Sequence, residues 1–141
     1  MATSSDTYPL IAFNSSNDSD WLFPIEKGSV LPTDFLPSGT FFEITFTAVQ
    51  CSGAGDTAKC TAVGSYETSN GVQYPLIANS VNGGQNWSYP VEKGSKLPKG
   101  FVSDGRFTDL SCIGLRCIAV GDYNNVTTSS IPMIALSLDG G

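Results

Sequence analysis

Hydrophobic and polar residues alternate along this chain in short bursts, and no burst is long. In "FTAVQC", alternation puts Phe46, Ala48 and Gln50 on one side of an extended strand and Thr47, Val49 and Cys51 on the other. "CTAVGSY" from Cys60, "YPLIANS" from Tyr74 and "WSYPVEK" from Trp87 are of similar length and rich in β-branched or aromatic residues. Turn-forming clusters separate them: Gly53 to Gly55, Asn70-Gly71 and Asn82 to Gly84. No window sustains the apolar period of a helix. The pattern predicts an all-β chain of short strands and tight turns.

The bursts then return in the same order. "FTDLSC" from Phe107, "CIAVGDY" from Cys117 and "IPMIALS" from Ile131 repeat the first three. Upstream, Tyr8-Pro9-Leu10-Ile11-Ala12 matches Tyr74 to Ala78. "WLFPIEKGSVLP" from Trp21 matches "WSYPVEKGSKLP" from Trp87 at eight of twelve positions. The offset between copies is 66 residues up to Gly39, then 61, then 57 after the first cysteine. Extra residues around Phe41 to Thr45, and between Cys51 and Cys60, account for both steps. Four strands in about 60 residues, repeated, predict blades of four antiparallel strands in a β-propeller. The chain then divides as one propeller segment over 1–141. Residues 8–45 hold a third and a fourth strand plus a link, 46–106 one full blade plus a link, and 107–141 the first three strands of the next.

The turn between third and fourth strands is Ser80-Val81-Asn82-Gly83-Gly84-Gln85-Asn86-Trp87. It resembles the Asp-box of sialidase-like and photosystem-assembly-factor-like propellers, Ser-x-Asp-x-Gly-x-x-Trp, with Asn82 in place of the Asp. Ser137-Leu138-Asp139-Gly140-Gly141 is similar to the same box with its Asp kept, and Asn14 to Trp21 is a degenerate copy. The resemblance implies structural roles. Ser80, Asn82, Ser137 and Asp139 would satisfy backbone donors in the turn. Gly84 and Gly141 would take a conformation costly for other residues, and Trp87 and Trp21 would pack into a blade.

A propeller closes with roughly four to eight blades, and this chain carries a little over two. Closure therefore calls for partners of its own kind: a head-to-tail homo-oligomer of three or four chains, with strands of two chains sharing a blade. Two candidate third strands, Tyr8 to Ala12 and Ile131 to Ser137, compete for the shared blade.

Charge and composition narrow the function. Net charge is −6 with seven scattered basic residues, which argues against a nucleic-acid partner. No apolar run approaches the length of a membrane helix, and the start "MATSSDTYPLIAF" reads as no export signal. Cys51/Cys60 and Cys112/Cys117 each frame a hairpin between a first and a second strand. Disulfides, reduced buried thiols and a four-thiolate metal site are the alternatives, and the spacings of nine and five suit the metal poorly. Disulfides would place the protein in an oxidising compartment, secreted or periplasmic.

There is no histidine, which removes imidazole triads and imidazole metal sites. The sialidase likeness implies three arginines against a substrate carboxylate, but only Arg106 and Arg116 are present. The expectation is a non-enzyme without cofactor or metal: a binding or scaffolding ring. A lectin-like module that meets carbohydrate is the rival, with Tyr66 and Tyr123 as candidate ligand contacts. The loops Glu67 to Val72 and Asn124 to Ser130 are the candidate binding surface. A second rival is an excised or engineered fragment with no selected function.

Overall fold

The structure, a computed structural model, describes residues 10–13, 22–25, 30–35 and 45–140. Every regular element in it except one short turn of 3₁₀ helix, Gly55–Thr57, is a β-strand. The strands are β1 (Ile11–Phe13), β2 (Leu22–Ile25), β3 (Thr45–Ser52), β4 (Lys59–Glu67), β5 (Gln73–Ser80), β6 (Ser88–Val91), β7 (Ser103–Ile113), β8 (Arg116–Asn124) and β9 (Ile131–Ser137). They form three antiparallel sheets in chain order: β1-β2, β3-β4-β5-β6 and β7-β8-β9. The strands fall on the runs that the hydrophobic pattern marks out. Short loops explain the neighbours, because a tight turn can only return the chain antiparallel beside the strand it left.

One expectation fails in detail. The alternation in "FTAVQC" is broken by a bulge between Phe46 and Ala48, which leaves Thr47 without a partner in the ladder. Phe46 then packs with Tyr66 and Leu76, while Ala48 packs on the opposite side with Val63 and Phe107. An extra residue shifts the phase of a period-two pattern by one, so every later side chain changes face. The same bulge recurs between Phe107 and Asp109. The glycine of each "AVG" explains why it must. A Cβ on Gly64 would lie 1.7 Å from Thr45 O, and one on Gly121 would lie 1.9 Å from Arg106 O. Both strands come too close at the bulge for any side chain.

The four-stranded and three-stranded sheets lie face to face. Val63 of β4 packs against a cluster of Phe107, Leu110, Cys117, Ala119 and Met133. The hydroxyl of bulged Thr47 reaches across to Phe107 O at 2.9 Å, and Gln50 Oε1 accepts the Cys112 N–H. On its other face the four-stranded sheet meets the β1-β2 side of the molecule. Ile11 and Ala12 line a hollow there with Val49, Cys51 and Trp87. Strand β4 is consequently buried on both faces, as the middle layer of a stack must be. Strand β8, at the open end, alternates buried and exposed.

Candidate functional site

The turn after β5 is a closed set of hydrogen bonds. Ser80 Oγ accepts the Gly84 N–H at 2.9 Å and donates to Asn82 Oδ1 at 3.0 Å. Asn82 Oδ1 in turn accepts the Asn86 N–H at 3.0 Å. The half-buried Trp87 indole donates to Gly84 O at 2.8 Å. Gly83 and Gly84 both have positive φ, and a Cβ on Gly83 would sit 2.6 Å from Gly55 O. After β9 the pattern recurs: Ser137 Oγ donates to Asp139 Oδ1 at 2.8 Å, and Gly140 has φ +95°. Gly83 N–H bonds Ala58 O at 2.9 Å, and Gly140 N–H bonds the matching Leu115 O at 2.8 Å. These side chains spend their polar atoms inside the turns. Trp21 and Gly141, together with Tyr8 and the stretch Asn14 to Asp20, lie outside the described residues.

Cys51–Cys60 and Cys112–Cys117 are disulfides, each joining residues directly opposite in a ladder. This settles the three-way reading of the cysteines. Each bridge lies at the turn end of its β-hairpin, beside a connection of six residues in the first and of two in the second.

The two tyrosines read as ligand contacts lie inside the fold. Tyr66 is fully buried. Its hydroxyl donates to Thr33 O at 3.1 Å and accepts the Lys93 N–H at 2.8 Å. Burial, together with the nearby Glu92 charge, pushes its pKa up to about 12, against the Lys93 N–H, which lowers it. Tyr123 is buried too, and donates to Lys99 O at 3.1 Å. Thr33 and Lys99 are the same position in successive copies. The phenol is thus a clip that ties each link to the second strand of the following sheet. Rings continue the clip as a row from Tyr66 to Tyr74, Phe101 and Tyr123, with centroids 6.2, 5.2 and 6.2 Å apart. Aromatic rings recur here because they bridge layers, and both hydroxyls are already engaged.

The loops proposed as a binding surface are tied to themselves. Thr68 N–H and hydroxyl both bond Val72 O, at 3.0 and 3.1 Å. Asn125 Oδ1 accepts the Thr127 and Thr128 N–H groups at 2.8 and 2.7 Å.

A network that the sequence pattern did not announce surrounds the first link. Glu92 accepts the Thr33 N–H at 2.7 Å and its hydroxyl at 3.0 Å, and Lys93 pairs with Asp34. The Lys93 ammonium, then the Ser69 hydroxyl, hold the Asp34 carboxyl below its usual range. Asp34 sits in the left-handed region at φ 59°, where the next copy has Gly100 at φ 79°. That mismatch between copies is the signal that could have found it: a side chain kept where glycine is easier. Arg106 pairs with Asp122 at 2.8 Å. Arg116 opens the same strand six residues earlier, roughly 20 Å away, so the two arginines do not converge on one carboxylate. Among the described residues, no group of three or more His, Cys, Asp or Glu side chains is placed to hold a metal ion. Among them, too, no helix is long and apolar enough to cross a membrane.

The remaining feature is at the two ends of the stack, and it becomes visible by comparing equivalent positions. Val63 is 0% exposed, whereas Val120, its counterpart one unit on, is 38% exposed. Leu110 is 5% exposed against the four-stranded sheet, whereas its counterpart Val49 is 57% exposed. Ile118, Val120, Ile134 and Leu136 make an open apolar face on the three-stranded sheet. Val49 lies on the opposite end, beside the β1-β2 sheet.

Comparison of the chain with family models, with curated proteins and with solved structures finds no match. The reading of function therefore rests on the geometry.

Proposed function

We propose that this protein is a non-catalytic scaffold: about two blades of an Asp-box-type β-propeller that assemble head to tail with copies of themselves into a closed ring. The observation that carries this is the complementarity of the two ends. Inside one chain, Val63 of the four-stranded sheet is covered by the β7 side of the next sheet, with Phe107 and Leu110 in contact. At the ends, the same two surfaces recur without cover, as Val120 with Ile118 on one side and Val49 on the other. A surface that matches another surface elsewhere on the same molecule makes heterologous, head-to-tail contacts, which close into a ring when the rotation allows. Exposed apolar patches of this kind are seldom left open in a soluble protein.

The ring would present its loops on two faces as a platform for a partner. Three chains supply about six blades and four supply about eight, both within the usual range. The two disulfides suit an oxidising compartment, secreted or periplasmic. Light scattering on the purified protein tests the reading. The expected mass is three or four times the 14.8 kDa of one chain. A strict monomer at every concentration overturns it.

A further inference from the structure

The register of β1 on β2 repeats the register of β5 on β6. Ile11 pairs with Ile25 and Phe13 with Leu22. Ile77 pairs with Val91 and Asn79 with Ser88. All four positions correspond at the repeat offset of 66 residues, and both ladders are irregular between their two pairs. Strand β9 is the same strand a third time. At the offset of 57, Ile134 stands for Ile77 and Leu136 for Asn79. Yet among the described residues the only strand that β9 pairs with is β8. At exposed Ile134 and Leu136 its far edge meets no other described strand and offers a template for one.

We propose that β9 of one copy takes the place of β1 on β2 of the next, so that β1 is a guard occupying the assembly strand until a neighbour displaces it. This rests on the ring reading above and adds to it the exchanged strand, its register and a control on assembly. The expected register is Ile134 opposite Ile25 and Leu136 opposite Leu22.

Three observations favour the exchange. First, β2 has two claimants of equivalent sequence for one edge, because β1 and β9 both hold the third-strand position. Second, the claimants are unequal. β1 is three residues long in a sheet of two strands, whereas β9 is seven residues long and anchored to β8 by seven pairs. An isolated two-stranded ladder is marginal in water, and a fourth strand on a three-stranded sheet is not. Third, the exchange needs little unfolding: only the three residues of β1 must let go of β2. The arriving sheet would bring Ile118 and Val120 toward exposed Val49, as β7 now brings Leu110 toward the other face. Strand pairing is traded nearly one for one, so the newly covered faces supply the drive and the concentration of chains sets the balance.

Cross-linking tests the register directly. Leu22 and Leu136 are both exposed, so single cysteines there leave the core intact. L22C and L136C proteins are mixed, oxidised gently and separated without reductant. The expected product is the mixed dimer, one copy of each, in clear excess over either self-dimer. A second measurement uses the full chain with Ile11→Pro, which disables β1 as a strand. A guard that holds β2 nine-tenths of the time weakens apparent assembly about tenfold, so its loss should lower the half-assembly concentration by about that factor. Oligomers that form with no mixed cross-link overturn the exchange and leave the ring reading standing. A mixed cross-link with an unchanged half-assembly concentration in I11P overturns the guard. A chain that stays monomeric overturns the ring reading itself.

Discussion

A carboxylate at position 120 should separate folding from assembly. Val120 lies on the open face of the three-stranded sheet, and Val63 shows how such a position looks once a neighbouring sheet covers it. In a single copy, the V120D side chain stays in contact with water, so the fold should stand within about 0.5 kcal/mol. In the ring the same carboxylate would be as dry as Val63. Burial without a partner raises a carboxyl pKa by two to three units, each worth about 1.4 kcal/mol. The lost valine contact adds about 1 kcal/mol. The sum is roughly 4 kcal/mol per interface, or about a thousandfold weaker association. Sedimentation or light scattering across a concentration series reads the mass, and circular dichroism reads the fold. V120A should weaken assembly only about tenfold, while V63D should fail to fold. A V120D protein that assembles at the wild-type concentration would refute the claim that this face is covered by a second copy.

Three further outcomes follow from the geometry. Tyr66→Phe strands the half-buried Lys93 N–H and should cost about 1–3 kcal/mol in urea unfolding, whereas Tyr123→Phe, which gives up the bond to Lys99 O, should cost about 1 kcal/mol. Reducing the two disulfides, which close separations of nine and five residues, should remove about 2–3 kcal/mol each on the loop-entropy model, seen as a lower melting temperature in reductant. The lowered Asp34 pKa means that its folded state binds a proton less readily than the unfolded chain. Its contribution is therefore complete above the ordinary carboxylate range and fades as pH falls through the folded value. Wild type should accordingly lose more stability than Asp34→Asn in acid, and equal pH profiles would refute the Lys93 contact.

Much of the strand content was legible because strands leave a local trace. Runs such as "CTAVGSY" and "YPLIANS" are apolar, β-branched and bounded by glycine or asparagine, so β4 and β5 could be placed from neighbours in the chain alone. The repeat added order: a run seen twice in the same sequence of runs is the same element twice. The side on which each residue falls was less legible. Phe46 and Ala48 look like companions in an alternating string and point to opposite faces, because a bulge at Thr47 shifts the phase. Only the clash that any side chain at Gly64 would make with Thr45 hints at that bulge. Tyr66 and Tyr123, the candidate ligand contacts, stand where a second strand enters its loop. They are interior clips, since the link that covers each hydroxyl comes from more than twenty residues away.

Sequence by itself determined the strands, their order, the turns and the equivalence of positions between copies. These depend on local propensity and on side-chain period, which short segments carry within themselves. Tertiary structure decided which equivalent positions are covered. Val63 and Val120 have the same neighbours in sequence, yet one is a core residue and the other meets water. Burial depends on what lies across a sheet, and Val120 is 38% exposed where Val63 is covered. The identity of the two sites in sequence, set against their difference in exposure, is what points to a second copy.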